Sequence, residues 1–417
     1  MKLQLFMLFL LGICGTESGA ITRQAQVTGQ DRTQQTVLTS VSKMSFNDKG
    51  FLFLGDGRRP VVYSIDLGGK ISDQPTKPFN LKNVDLILSR FLGVSTEMLR
   101  VTDMAVHPLS KDVYLAVSVG VGKLETFSLI KVRPEGKLEN VSLKDKKVDS
   151  VELTHHEGKD YKFWNKYQAS SLSITHIEYY KNHLYVSGLK TGEFSSTLYK
   201  VSFPFRGNVE HATVSYYHAV HDQTESRAPI ISHKIVHISG KDYLLAVYTC
   251  TPLVLIPLSE IKNGAHIRGK TIAELGYGNN PVDMLSFTLD RGEGMQPYIL
   301  INNRNRSGSL IAMKDIIDAE SQPGITTPSG FSKKGVTAQD VPLAGVIHMS
   351  LQDASWLLAL RRNIDTGHLD LITMVQGVWL RLSDFISEYN FPDYQYPDSQ
   401  KEKKSFHNYL KSIEGFL

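Results

Sequence analysis

Five residues of types that bind metals occupy like positions in successive repeats of this chain: Asp103, His176, His233, Asp283 and His348. Neutral imidazole nitrogen and carboxylate oxygen are ligands for divalent zinc, iron, copper and manganese, so a fold that gathered these side chains would suit such an ion. A divalent metal is the one cofactor the sequence suggests. Lys43 holds the sixth like position and works against a symmetrical ring of ligands, which leaves a subset led by His176, His233 and His348. The same residues also suit a plainer role, in which each Asp or His caps the start of a strand by bonding neighbouring backbone.

Three other places carry chemistry. The stretch HAVHDQTESR packs His218, His221, Asp222, Glu225 and Arg227 into ten positions, a density that suits ligand binding or acid–base work. Arg304 and Arg306 in NNRNRSG, with Arg361 and Arg362 in LRRNIDTG, put guanidinium forks in equivalent loops, and such forks recognise carboxylate or phosphate. The plainer reading pairs them with Asp365 and Asp370. Cys250, in YTCTPLV, is a reactive thiol if nearby Arg or His lowers its pKa, and otherwise a small buried hydrophobe.

The elements that must position these residues come from an internal repeat. An apolar strand, a tight polar turn, a second apolar strand, a loop and a third alternating strand recur from Val41, Val101, Ser173, Ile231, Pro281 and Gly345. Hairpin-forming residues fill the first turns, as in Ser110-Lys111-Asp112, Lys181-Asn182, Gly240-Lys241-Asp242 and Gly292-Glu293-Gly294. Third strands are expected at Val61–Leu67, Ser128–Val132, Thr197–Phe203, Leu253–Leu258, Ser309–Met313 and Leu369–Val375. Candidates for fourth, outer strands are Val148–Leu153, Ala212–Tyr217 and Lys270–Leu275. Four antiparallel strands per repeat describe the blades of a β-propeller. The repeats are about 61 residues long on average, which gives six blades, with seven still possible. The surplus length goes into insertions, one a short helix within Leu86–Leu99 and another the aromatic stretch His155–Gln168.

In a propeller, first strands line the central channel, and the hairpin returns the chain to the face where they began. Residues opening the first strands therefore share a face with those leaving the second: Gly188, Lys190, Thr249, Cys250, Asn302, Asn303, Arg304, Arg361 and Arg362. That channel mouth is where a site is expected, with like positions of successive repeats as neighbours around the axis.

Composition bounds the rest. Of 417 residues, 41% are hydrophobic and 21% charged, an ordinary globular balance that rules out collagen and disorder. Lys and Arg exceed Asp and Glu only by 46 to 42, too little to infer a nucleic-acid partner. MKLQLFMLFLLGICGTESGA has the charge, apolar run and small-residue ending of a secretory signal peptide, expected to be cleaved after Ala20. Lipidation at Cys14 is the alternative, although Ile13 stands where a small residue is usual. Cleavage leaves Cys250 without an intrachain disulfide partner. No other stretch is apolar for long enough to span a bilayer, so the expected product is an exported protein, periplasmic or extracellular. Residues 21–390 form the propeller, and 391–417 a tail whose Phe406, Tyr409, Leu410 and Ile413 have the spacing of a short helix. Asn140-Val141-Ser142 and Asn305-Arg306-Ser307 match glycosylation sequons.

The signal peptide, VTDMAVHP, LYVSGLKTGEFSSTLYKVSFPF, AVYTCTPLV, GKTIAELGYGNNPVDML and EYNFPDY together resemble an uncharacterised family of exported bacterial β-propeller proteins. More distantly the chain looks like the propellers of quinoproteins, amine dehydrogenases and lactonases, whose defining cofactor motifs it lacks. The resemblance implies fold and export, not an activity. The expected function is a binding platform at the channel mouth for a partner protein, a metal or a small anionic ligand. The alternative is a metal-dependent hydrolase or oxidoreductase at the same mouth, using His176, His233 and His348 with Asp103 or Asp283 as base.

Overall fold

The computed structural model describes residues 38–377 and 379, apart from 73–75, 121–124, 145, 154–161, 164–166, 169–171 and 305. The signal peptide, the tail, the second sequon's Asn305 and most of the His155–Gln168 insertion lie outside the described residues. Among those described, no helix is long and apolar enough to cross a membrane.

Six sheets of at least four strands form the blades of a six-bladed β-propeller. Their inner strands are Lys43–Phe46, Leu99–Val106, His176–Tyr180, Ile230–Ile238, Pro281–Asp290 and Val346–Leu351, which define the first to sixth blades in chain order. Local chemistry builds each hairpin. Lys181 and Asn182 adopt φ of 45° and 61°, and Ser239 and Gly240 adopt 49° and 79°, the left-handed pair that a twist-matched two-residue turn requires. The second of these turns falls one residue earlier than expected, so Lys241 already begins the return strand.

Second strands are apolar almost throughout because both faces of a blade are covered by neighbours. In Lys241–Tyr248, Leu245 and Val247 pack with Ile299 and Ile301 of the fifth blade. Leu244 and Ala246, pointing the other way, pack with Leu198 and Val214 of the third. Alternation of side chains thus feeds two cores from one strand, and each fully buried aliphatic side chain contributes roughly 1.5–3 kcal/mol.

Blade order around the axis departs from order along the chain. The inner strand of the first blade lies between those of the second and third, and the second blade lies between the sixth and the first. Successive repeats are therefore not always neighbours, contrary to the expectation above. The cause is an exchange of outer strands. After its third strand, Val61–Asp66, the chain supplies Asn80–Leu81 as the outer strand of the sixth blade, paired with Leu371 and Ile372. It then folds the second blade, whose own outer strand is Leu138–Asn140. Only afterwards does Val148–Glu152 return to complete the first blade against Val61–Ile65.

Side chains fix this seam. Phe79 and Thr373 exchange hydrogen bonds, the Phe79 amide donating to Thr373 Oγ1 at 2.8 Å and the Thr373 amide to the Phe79 carbonyl at 2.8 Å. The expected insertion helix spans Val84–Leu92, ended by Gly93 at φ 68°. It buries Val84 and Leu88 against Leu369 and Leu371. Asp85 of this helix accepts from the Leu369 amide at 3.1 Å and stands 3.0 Å from His368 Nδ1.

Candidate functional site

Strand register places the openers and exits on one face, with Lys43 opposite Gly55, His176 opposite Ser187 and His233 opposite Ala246. At the centre of that face Lys43 crosses the channel. Its Nζ lies 3.6 Å from Asp103 of the adjacent second blade and 3.4 Å from Asp283 of the fifth blade, three places away around a ring of six. His348 Nδ1 approaches the same carboxylates, at 3.3 Å from Asp103 and 3.7 Å from Asp283. Burial works against the Lys43 charge, but the fields of Asp103 and Asp283 outweigh it and raise its pKa. Burial likewise pushes Asp283 up, but the Lys43 charge and His348 prevail and hold it at about 2. Asp103 is raised, because burial exceeds the pull of Lys43 and His348.

The carboxylates also tie blades together. Asp103 accepts from the Met44 amide at 2.5 Å, and Asp283 from the Met349 amide at 3.0 Å. Two residues deeper, Glu178 of the third blade accepts from the Ile235 amide of the fourth at 2.9 Å. In all three cases an acid on one inner strand holds an N–H of the next inner strand in the same rotational sense. Charged acceptors make these bonds worth about 1.5–3 kcal/mol each. Glu178 was missed in the sequence, although it follows His176 by the two-residue step that returns to the same face of a strand.

His176 and His233 stand beside each other, ring centroids 4.4 Å apart. Among the described residues neither ring nitrogen of the buried His233 makes a close hydrogen bond; the Tyr185 backbone stands near the ring, and the His233 Nε2 lies 4.0 Å from Glu178. Burial, with the nearby Lys234 charge, lowers the His233 pKa to about 3, and burial with His233 lowers His176 well below the ordinary histidine range. Among the described residues, His176, Glu178 and His233 bring ligand atoms within 4.8 Å of one another, as do Asp103, Asp283 and His348. His348 thus stands in a different group from the other two imidazoles. In the Asp103, Asp283 and His348 group the Lys43 ammonium already sits between the two carboxylates, so a cation there would have to displace it.

Towards the rim between the third and fourth blades, a third group of this kind joins His218, His221 and Cys250. His218 ends the strand Val209–His218, and Cys250 lies in the turn between Lys241–Tyr248 and Pro252–Pro257. Glu225 faces Nδ1 of both imidazoles, at 3.0 Å from His218 and 2.5 Å from His221. His218 Nε2 lies 3.1 Å from Thr251 Oγ1, and that hydroxyl donates to the buried Glu274. Burial opposes charge on His218, but Cys250 and Glu225 raise it to about 9, while contact with His218 lowers the Cys250 thiol. Thr251 and Glu274 gave no signal in the sequence, since nothing there sets the end of an outer strand beside the preceding hairpin turn.

The arginines bond mainly to backbone. Arg361 Nε donates to the Ala344 carbonyl at 3.1 Å, Arg362 to the Gly367 carbonyl at 2.6 Å, and Arg227 to the Glu193 carbonyl at 3.3 Å. Arg306 holds the Tyr277 carbonyl at 2.9 Å and Asp340 at 3.1 Å. The Arg304 side chain is exposed, and its amide donates to the Asn280 carbonyl at 3.0 Å. Asn302 bridges blades, accepting from the Asp283 amide at 2.9 Å and donating to the Val346 carbonyl at 3.1 Å.

The opposite face carries a pocket of about 550 Å³ lined by His107, Asp112, Lys131 and Arg133 among others, with Asp112 paired to Lys131 at 2.7 Å and to Arg133 at 3.4 Å.

No family model matches the chain, and no curated protein matches it. Solved structures similar to it include extracellular domains 1–2 of Drosophila Semaphorin 1b, at 10% identity over 80% of this chain and 84% of that one, with a TM-score of 0.34. The Plexin A4 extracellular region is similar at 10% identity over 81% of this chain and 39% of that one, with a TM-score of 0.36. Bacteroides ovatus GH43B, from a xyloglucan PUL, is similar at 11% identity over 66% of this chain and 51% of that one, with a TM-score of 0.30. The fold assignment rests on the strand pairing described above.

Proposed function

We propose that this protein is an exported binding protein, related to the exported bacterial propellers it resembles, whose channel-mouth face is a platform for a partner protein, a metal or a small anionic ligand. The observation that supports a platform over a central catalyst is the position of Lys43, whose ammonium fills the space between Asp103 and Asp283. A buried centre that already holds its own cation leaves binding to the rim. There Arg304, Arg361 and Arg362 surround the fifth and sixth blades' exits, and His218, His221 and Arg227 the approach to the fourth blade. The test is calorimetry with a panel of small carboxylates and phosphate. Binding that vanishes in Arg304→Ala/Arg361→Ala supports the anion form, and binding unchanged in that variant removes it. N-terminal sequencing of protein recovered from an exporting host is expected to start at Ile21.

The second reading, a metal-dependent hydrolase or oxidoreductase at the same mouth, draws on the buried His233 ring gathered with His176 and Glu178, their donor atoms within 4.8 Å of one another. Stoichiometric metal that disappears in His233→Leu is its test, and metal-free wild-type protein defeats it.

A further inference from the structure

We propose that His218, His221 and Cys250 form a binding site for a thiophilic divalent ion of the zinc class. This deepens the platform reading by naming one ligand and its place on the rim. Each of the three side chains offers a donor atom within 4.8 Å of the others, a separation that small side-chain shifts close to the contacts of a tetrahedral ion, roughly 2.0–2.1 Å to nitrogen and 2.3 Å to sulfur. The donor set itself selects the metal: one thiolate with two imidazoles favours zinc or a similar soft ion over calcium or magnesium.

The surroundings are those that hold ligands in place. Metal-bound imidazoles characteristically give their second nitrogen to a carboxylate or other acceptor. Glu225 stands against Nδ1 of both rings, and Thr251, backed by Glu274, stands against Nε2 of His218. His218 can therefore surrender either contact to an ion and keep the other. The site is also reachable, with His218 buried, Cys250 half-buried and the His221 side chain 49% exposed. Three protein donors leave the fourth tetrahedral position open towards solvent, the arrangement of an ion that still accepts water or a ligand. Its place is informative too, since the ion would join the last residue of the third blade's long outer strand to a hairpin turn of the fourth.

Untagged full-length protein, treated with chelator and then titrated with cobalt(II) and zinc(II), tests this. One equivalent should bind, cobalt should give a near-ultraviolet thiolate charge-transfer band, and zinc should protect Cys250 from iodoacetamide, with peptide mapping separating Cys250 from Cys14. Cys250→Ser and His221→Ala should each weaken zinc binding at least tenfold, while Lys241→Ala, exposed at the far end of the same hairpin, leaves it unchanged. His221 lies at the surface, so its variant keeps the test valid where Cys250→Ser folds poorly. Absence of the cobalt band, or unaltered zinc binding in His221→Ala, overturns the proposal. Neither result bears on the anion form of the platform, which is read with phosphate and the arginine variants.

Discussion

Lys43 and Asp283 meet across the channel mouth, Nζ to Oδ1 at 3.4 Å, although they belong to blades on opposite sides of the axis and 240 residues separate them in the chain. One side chain thus couples opposite sides of the ring. With Asp103 it forms a buried ionic cluster whose partners cannot be removed singly without cost.

Lys43→Met should destabilise the protein by about 3 kcal/mol, because it leaves two buried carboxylates without their cation. The triple variant Lys43→Met/Asp103→Asn/Asp283→Asn should recover part of the loss, since neutral amides are less costly to bury. Chemical denaturation of the two variants checks this, and a triple variant less stable than the single one would contradict it.

Acid should weaken the fold in two stages when measured with a chelator present. His233 has a folded pKa near 3, so between its ordinary value of 6.5 and about 3 the unfolded chain binds more protons and stability falls with falling pH. Asp283, held at about 2 against an ordinary 3.8, adds a loss as pH drops through that lower window. The loss of stability between pH 6 and 4 should therefore be smaller in His233→Leu than in the wild type, a difference read from their denaturation midpoints.

Gly188→Ala should prevent correct folding. A Cβ at Gly188 would sit 1.9 Å from the Ser173 carbonyl oxygen, which belongs to buried backbone entering the third blade's inner strand. Soluble yield and circular dichroism report the outcome, and a native melting curve would refute the close approach.

Asp85→Asn should cost about 1–2 kcal/mol by weakening the acceptor for the Leu369 amide and the contact with His368. Hydrogen exchange should rise first in Leu369–Val375. Equal exchange throughout all blades would show that the seam has no local stability of its own.

Much of the architecture was legible because it is local. Period-two apolar runs, Lys181-Asn182 and the glycine-bearing turns each specify a hairpin without help from elsewhere in the chain. The third strand Leu369–Val375 appears as expected, and the other third strands differ by a residue or two at their ends. Ring order was not legible, since it is set by outer strands as short as Asn80–Leu81, which carry no repeat and find partners nearly 300 residues away. The candidate site divided in the same way. Alignment singled out the openers, but it made Lys43 the exception among them, whereas its two carboxylate partners at a shared axis make it the centre. Glu274 is tied to its neighbours only by tertiary structure.

Propellers commonly grow by copying whole repeats in tandem, and the exchanged strands stand against that here. Deleting the second blade as a unit would strip the chain between the piece that completes the sixth blade and the piece that completes the first, and an added copy would have to part them further. The second blade is thus bracketed by the two exchanged strands, and any change to it alters the link between the sixth and first blades.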